Sequence, residues 1–268
     1  MESSVLFAFA LTLFAGLSTG IGSLIGFLSK KFNPKLLTIS LGFSAGVMIY
    51  VSMIEIFAKA KDSLSIALGE KPGYLWTVVS FFTGMFAIAL IDKIIPSYEN
   101  PHELNVGKKI ENASEKDKAK LLRMGMFSAL AIGIHNFPEG LATFMSGLTN
   151  PTLGISIAAA IAIHNIPEGL AVSAPVYYAT KSRRKAFALS FLSGLAEPIG
   201  AIIGYFILRS FFNETMFGVI FAAVAGIMVY ISLDELLPTA EEYGEHHLAI
   251  GGLIAGMIVM AISLLLFD

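Results

Sequence analysis

Long runs of apolar residues decide what this chain can fold into. Each run reaches the roughly 20 residues that an α-helix needs to cross the hydrocarbon core of a bilayer. Only 14% of the residues are charged, against about 25% in an average soluble domain. No polar stretch is long enough to bury a core of its own. The pattern therefore predicts an all-α integral membrane protein with a single transmembrane domain over residues 1–268.

The apolar runs predict eight spanning helices, numbered 1 to 8 along the chain. Their boundaries follow turn signals such as Asn33-Pro34, Asn150-Pro151 and Tyr243-Gly244. One connection is long and charged, and it is predicted to be a cytoplasmic loop at about 96–120. The predicted helices cover approximately residues 3–29, 36–58, 74–95, 121–147, 153–179, 186–209, 214–238 and 248–267.

The distribution of basic residues predicts the orientation of these helices. If the N-terminus lies outside, the inner loops carry most of the 18 Lys and Arg residues. Cytoplasmic loops are enriched in these residues, so both termini are expected on the periplasmic or extracellular side.

Glycines that recur at a spacing of four residues predict close contacts between membrane helices, because backbones approach closely where side chains are absent. This pattern favours a tightly packed bundle and does not identify a function. The pairs are Gly16/Gly20, Gly42/Gly46, Gly200/Gly204 and Gly252/Gly256.

Two near-identical hexapeptides lie inside predicted helices 4 and 5, His135-Asn136-Phe137-Pro138-Glu139-Gly140 and His164-Asn165-Ile166-Pro167-Glu168-Gly169. A charged side chain at the centre of a membrane helix costs about 2.5–3.5 kcal/mol on insertion scales. In each copy the His and Glu are four residues apart and share one helix face. The proline removes a backbone hydrogen bond and bends the helix. Two such clusters indicate that a cation binds between them, and imidazole with carboxylate favours a divalent metal.

A proline kink whose polar residues bond neighbouring helices would explain one copy without a metal. It explains two copies less well, because three intramembrane carboxylates would still need neutralising. The third is Glu197, which precedes Pro198 in predicted helix 6. One divalent ion would change the formal charge of −3 from Glu139, Glu168 and Glu197 to −1, and two would change it to +1. This ligand chemistry does not choose between zinc, iron, manganese and cobalt.

The doubled motif, the eight spans and Glu197-Pro198 resemble the ZIP (Zrt/Irt-like) metal transporters, and they are most similar to the bacterial ZupT-type members. The resemblance covers essentially the whole chain. It implies uptake of a divalent metal cation into the cytoplasm, with zinc, iron, manganese, cobalt or cadmium as the transported substrate. It also implies a ZIP-type bundle and a homodimer in the bacterial inner or plasma membrane. Alternating access would move helices 1, 4, 5 and 6 against helices 2, 3, 7 and 8.

The resemblance further implies a binuclear metal centre. Its first position would use the histidines and glutamates of both motifs. Its second position would use the two asparagines and Glu197, with the motif glutamates bridging. Some relatives carry an acid at the position of Asn165, which is neutral here, so occupancy of the second position stays open. The implied ligands are His135, Asn136, Glu139, His164, Asn165, Glu168 and Glu197.

A methionine on helix 2 approaches the first position in some members, and it aligns with Met48. Ordinary packing explains Met48 equally well, since methionine is a common filler of apolar cores. Its inclusion among the ligands therefore depends on the resemblance alone.

Polar residues near the helix ends are candidates for the entry and exit path of the metal. Glu55 lies toward the outer end of helix 2, where a solvated acid is the alternative explanation. Asp234 and Glu235 lie near the cytoplasmic end of helix 7, where capping or interface roles are the stronger explanation. His246 and His247 lie in an inner loop, and they would either collect released metal or belong to a solvated acidic turn.

Two other function classes fit parts of the pattern. A metal-dependent intramembrane enzyme would be expected to show His-Glu-x-x-His, whereas here the glutamate follows the histidine by four residues, after a proline. A metal-sensing membrane protein would bind the ion without moving it. The absence of cysteine excludes thiolate sites and disulfides, and no basic patch indicates nucleic acid as a partner. The sequence predicts a transporter and not an enzyme, while export, proton coupling and the preferred metal stay open.

Overall fold

In this computed structural model, every regular element is helical within the residues that it describes, which are 2–28, 34–94, 115–208, 213–243 and 245–267. Two five-residue π-helical turns, Ser52–Ile56 and Ser232–Leu236, join α2 to α3 and α9 to α10. The predicted loop at 96–120 lies mostly outside the described residues, and α5 already begins at Glu115. The helices are α1 (Glu2–Leu28), α2 (Pro34–Val51), α3 (Phe57–Leu68), α4 (Glu70–Ile94), α5 (Glu115–Thr149), α6 (Pro151–Thr180), α7 (Arg183–Gly194), α8 (Ala196–Leu208), α9 (Glu214–Ile231), α10 (Leu237–Tyr243) and α11 (His246–Phe267).

Seven helical segments of the described residues are long and apolar enough to cross a bilayer. The prediction of an all-α protein is therefore confirmed for the described residues, and the seven segments are consistent with a membrane protein. The remaining long helix is α5, which has 35 residues. Its mean hydropathy is lowered by the polar residues of the first motif, which include Asn136 and Glu139. The seven segments are Ser4–Ile25, Lys35–Leu68, Glu70–Ile91, Pro151–Thr180, Arg183–Ile207, Glu214–Glu241 and His246–Leu266.

Two predicted helices continue further than expected. Predicted helix 2 runs through the first π-helical turn to Leu68, beyond the expected end at 58, and predicted helix 7 runs to Tyr243. A length rule based on bilayer thickness ends a helix where polar residues begin, although backbone hydrogen bonding continues there. The first of these helices ends at Gly69, whose φ of 89° is unfavourable for residues with a Cβ atom.

Predicted helix 6 is interrupted at Leu195, between α7 and α8. Pro198 has no N–H group and cannot donate to the carbonyl of Gly194, four residues earlier. This missing bond gives a physical reason for a break two residues before Glu197.

The two π-helical turns end two copies of a sequence repeat that hydrophobic periodicity does not reveal. Residues 45–56 and 225–236 align without a gap, as AGVMIYVSMIEI and AGIMVYISLDEL. π-Helical turns are rare and frequently occur at functional sites. Their presence at the same place in both copies makes them a property of the repeat. The identical pairs are Ala45/Ala225, Gly46/Gly226, Met48/Met228, Tyr50/Tyr230, Ser52/Ser232 and Glu55/Glu235.

The helices pack as two groups. One group contains α1 and α5 to α8, and the other contains α2 to α4 and α9 to α11, with α2 lying against α6 between them. The predicted glycine contacts are present in both groups. A Cβ atom at Gly42 or Gly46 would collide with the backbone of α11, and one at Gly252 or Gly256 would collide with the backbone of α2. Backbones in contact leave no room for lipid or water between these helices.

Candidate metal site

The two motifs face each other on neighbouring helices. Asn150 accepts hydrogen bonds from the first backbone N–H groups of α6 and Pro151 starts that helix, so the chain reverses within one residue after α5. Pro138 and Pro167 lie inside continuous helices. Six predicted ligands are fully buried, namely Asn136, Glu139, His164, Asn165, Glu168 and Glu197.

One contact joins the two motifs directly. Nε2 of His164 on α6 lies 3.3 Å from Oε2 of Glu139 on α5. The pair therefore combines an imidazole nitrogen from one motif with a carboxylate oxygen from the other. The side chain of His135 lies outside the described part of the structure.

Glu197 is brought to the motifs by close packing of α8 against α5. A Cβ atom at Gly140 would collide with the backbone of Glu197, and one at Gly200 would collide with the carbonyl of Phe137. Glu197 lies in the first turn of α8, where the positive end of the helix dipole favours a carboxylate. The glycine of the first motif is thus required for the third carboxylate to come close.

Both motif asparagines donate hydrogen bonds through their side-chain nitrogens. Nδ2 of Asn136 donates to the carbonyl of Ser193 on α7, at 3.3 Å. Nδ2 of Asn165 donates to the carbonyl of Ala15 on α1, at 3.0 Å, and also to Oε1 of Glu197. The amide nitrogens are therefore directed at neighbouring helices, and the amide oxygens point elsewhere.

Four buried oxygens of these side chains have no hydrogen-bond partner among the described residues. They are Oδ1 of Asn136, Oε1 of Glu139, Oδ1 of Asn165 and Oε2 of Glu197. Buried polar atoms are normally hydrogen-bonded, and all four of these atoms are acceptors. Glu139 and Glu168 also lie close enough to Glu197 to act on it electrostatically. An environment rich in acceptors and negative charge is suited to a cation.

The structure brings the predicted ligands together as pairs, and not as a complete coordination shell. Within the described side chains, no three His, Asp or Glu residues are grouped closely enough to hold a metal ion. The pairs are Glu139 with His164 and Asn165 with Glu197. Met48 is fully buried in the main apolar core and lies on α2, the helix that packs against α6. The full ligand set is therefore still a prediction.

The predicted path residues lie away from the motifs. Glu55 lies in the first π-helical turn, with its carboxylate 3.9 Å from Nζ of Lys59. Asp234 is exposed and Glu235 is half-buried, and both lie in the second π-helical turn. Glu55 and Glu235 thus occupy equivalent positions of the repeat, whereas Asp234 is equivalent to Ile54.

The two predicted loop histidines are exposed at the start of α11. Nδ1 of His246 lies 2.6 Å from a carboxylate oxygen of Glu241, and the ring of His247 packs against that of His246. Nearby, Nζ of Lys35 lies 3.8 Å from Glu245. This ion pair joins the start of α2 to the start of α11, so these two helix ends lie on the same side of the bundle.

The chain is similar to known proteins over its whole length. Residues 96–264 match the family model described as ZIP Zinc transporter. A protein named Zinc transporter ZupT from Chlorobaculum parvum is 79% identical over 267 residues, which covers 100% of both chains. A protein of the same name from Chlorobium chlorochromatii is 78% identical with the same coverage. Another from Clostridium perfringens is 61% identical over 277 residues, covering 99% of this chain and 97% of that relative.

Proposed function

Because this chain belongs to the ZIP zinc transporter family, we propose that it takes up zinc into the cytoplasm through a site between α5, α6 and α8. The family is one of transporters and not of enzymes. The observation that carries the site assignment is the buried His164–Glu139 pair together with the four acceptor oxygens that have no hydrogen-bond partner in the described part of the chain. Zinc is the transported substrate, and iron, manganese, cobalt and cadmium are competing ions with suitable ligand chemistry.

The buried ligands have to replace the water shell of the ion. The carboxylates Glu139, Glu168 and Glu197 offset the cost of dehydration with their negative charge. The motif histidines, His135 and His164, supply nitrogen ligands to the first position. At the second position the asparagine oxygens and Glu197 would hold a second ion, with the motif glutamates bridging. Support for this binuclear arrangement comes from the four unpartnered oxygens, none of which is a donor.

Release of the ion requires that the coordinating side chains move apart. The division of the helices into two packed groups supports alternating access, in which α1 and α5 to α8 move against the other group. Met48 lies on α2, and α2 packs against α6 across the boundary between the groups. Movement along this boundary would change the distance from Met48 to the motif ligands. In this proposal Met48 is an additional metal ligand in one conformational state of the transporter.

The path residues fit the same scheme. Glu55 would attract ions at the outer entrance, while Asp234 and Glu235 would receive them on the inner side. The exposed pair His246 and His247 would bind released metal at the cytoplasmic surface. Glu55 and Glu235 occupy equivalent places in the two copies of the repeat. This equivalence supports corresponding roles for the two π-helical turns at opposite ends of the pathway.

We further propose that the transmembrane domain spans residues 1–268 and has eight spanning helices, with α5 as the eighth. Its glycine and hydrogen-bond contacts with α7 and α8 support a buried place for its polar motif inside the bundle. Both termini then lie on the periplasmic or extracellular side of a bacterial inner membrane. The Lys35–Glu245 pair supports eight spanning helices, because with eight spans the start of α2 and the start of α11 both lie on the cytoplasmic side. The resemblance to the family also supports the proposal that the protein forms a homodimer.

Zinc flux into proteoliposomes tests the function. The purified protein is reconstituted with a zinc-sensitive dye inside the vesicles, and protein orientation is measured by protease protection. We expect zinc added outside to enter vesicles that contain the protein, and not protein-free vesicles. Tight zinc binding without flux would support a sensor, and turnover of a substrate without flux would support an enzyme. Either result would contradict the proposal.

The absence of cysteine makes the topology directly testable. Single-cysteine variants Ser4→Cys, Thr152→Cys and Arg184→Cys are exposed to a membrane-impermeant maleimide on intact cells from which any outer membrane has been removed. We expect Ser4→Cys and Thr152→Cys to react at once, and Arg184→Cys to react only after permeabilisation. Labelling of Thr152→Cys only after permeabilisation would show that the proposed topology around α5 is wrong.

A further inference from the structure

Each of the two motif asparagines donates a hydrogen bond to a backbone carbonyl that directly precedes a glycine. Asn165 donates to the carbonyl of Ala15, and Ala15 directly precedes Gly16 on α1. Asn136 donates to the carbonyl of Ser193, and Ser193 directly precedes Gly194 on α7. The two copies of the motif are thus hydrogen-bonded in the same way to two different helices, α1 and α7.

The two glycines that follow these carbonyls touch each other. A Cβ atom at Gly16 would lie 2.5 Å from the carbonyl oxygen of Gly194, and a Cβ atom at Gly194 would collide with the carbonyl oxygen of Gly16. The carbonyl of Gly194 is the one that Pro198 leaves without its helical partner. A Cβ atom at Gly16 would also lie 3.4 Å from Cβ of Glu197. The contact between the glycines therefore adjoins the third carboxylate.

We propose that Gly16 and Gly194 are positioning residues of the metal site. Their contact holds α1 against α7 and so fixes the distance between the carbonyls of Ala15 and Ser193. Those carbonyls hold the amide nitrogens of Asn165 and Asn136, which leaves both amide oxygens turned away from α1 and α7. The two amide oxygens and Oε2 of Glu197 then form the second metal position. This inference rests on the proposed transport function, because it assigns a role within the same site.

The first metal position is expected to depend less on the glycine contact. Its His164–Glu139 pair joins α6 to α5 directly and does not pass through α1 or α7. A change at Gly16 should therefore weaken the second position selectively. General damage to the bundle would weaken both positions together, and this difference separates a positioning role from a structural one.

The variant Gly16→Ala is the direct test, and α1 offers a matched control at Gly20. Among the described residues, the nearest atoms to a Cβ atom at Gly20 would belong to the rings of Phe191 and Phe187, at 3.3 Å or more, and these side chains can shift. Metal content of the purified full-length protein is measured by equilibrium dialysis against zinc and by Co²⁺ absorption spectra. We expect two ions per protomer in the wild-type protein and in Gly20→Ala. In Gly16→Ala the first ion should remain, and affinity for the second should fall about 10- to 100-fold, as typical for loss of an outer-shell partner.

A second variant keeps the test decisive if Gly16→Ala does not fold. Asn136→Asp retains an oxygen ligand but loses the donor to the carbonyl of Ser193. If the amide nitrogen is the anchor, we expect the second ion to bind at least about tenfold more weakly. If the oxygen alone matters, the added charge should tighten binding of the second ion, and that outcome would overturn the inference.

The remaining outcomes also decide the matter. Equal loss of both ions in Gly16→Ala, or no loss in this variant, would overturn the positioning role. A wild-type protein that transports zinc but binds one ion would overturn this inference alone. A wild-type protein without zinc flux would instead overturn the proposed function.

Discussion

Replacing Glu139 by glutamine is expected to lower zinc uptake at least about a hundredfold at zinc concentrations below saturation. Glu139 is fully buried, touches His164 and carries an oxygen without a partner among the described residues. Unit charges about 4 Å apart interact by about 4 kcal/mol at an effective dielectric constant of 20, and about 1.4 kcal/mol changes an equilibrium constant tenfold. Glutamine keeps the shape of the side chain and removes this charge.

Uptake by Glu139→Gln is measured in proteoliposomes beside Glu168→Gln and a surface control. Glu214 is exposed in the first turn of α9, so Glu214→Gln should transport like the wild-type protein. Size-exclusion chromatography and circular dichroism establish that each variant is folded. Uptake by Glu139→Gln at the wild-type rate would show that the site is assigned to the wrong residues.

Replacing Gly140 by alanine is expected to separate Glu197 from the first motif. The added Cβ atom would collide with three backbone atoms of Glu197, namely the carbonyl oxygen, the carbonyl carbon and Cα. Backbone atoms cannot move aside as a flexible side chain does. Overpacking of this kind typically costs about 1–3 kcal/mol. Because α5 has to move away from α8, zinc affinity should fall at least about tenfold, as for other changes to the surroundings of a metal site. The apparent melting temperature in detergent should fall as well.

Gly133 on the same helix is the matched control for Gly140. A Cβ atom at Gly133 would have as its nearest neighbour the Cα atom of Ser193, at 3.9 Å, which is an ordinary contact. Alanine is favoured over glycine in a helix by about 1 kcal/mol. Gly133→Ala should therefore melt at or above the wild-type temperature and bind zinc normally. Equal zinc affinities in both alanine variants would contradict the proposed role of the α5–α8 contact.

The central features of the site follow from sequence spacing. The four-residue interval within each motif predicts that His and Glu share a helix face, and the contact between His164 and Glu139 confirms that these faces meet. The cost of burying Glu197 in a membrane suggests that it needs a partner, and the structure supplies the amide of Asn165. Charge and periodicity thus select side chains of which the structure brings two pairs together, and the full ligand set is still a prediction.

Other parts of the arrangement leave weaker signals in the sequence. The anchors of the asparagines are the backbone carbonyls of Ala15 and Ser193, which every residue type provides. α5 is not among the seven segments that are long and apolar enough to cross a bilayer, and its polar motif lowers its mean hydropathy. The break at Leu195 had a usable signal, since Pro198 leaves the carbonyl of Gly194 without a helical donor.

The paired π-helical turns set the direction in which the helices that follow them present their side chains. A π-helical turn accommodates one residue more than an α-helix would in the same place. Residues 45–56 and 225–236 share this extra residue at the same position. Deleting one residue from Ser52–Ile56 would rotate α3 by about 100° around its axis. The extra residue therefore sets the helical phase of α3, and its counterpart in Ser232–Leu236 does the same for α10.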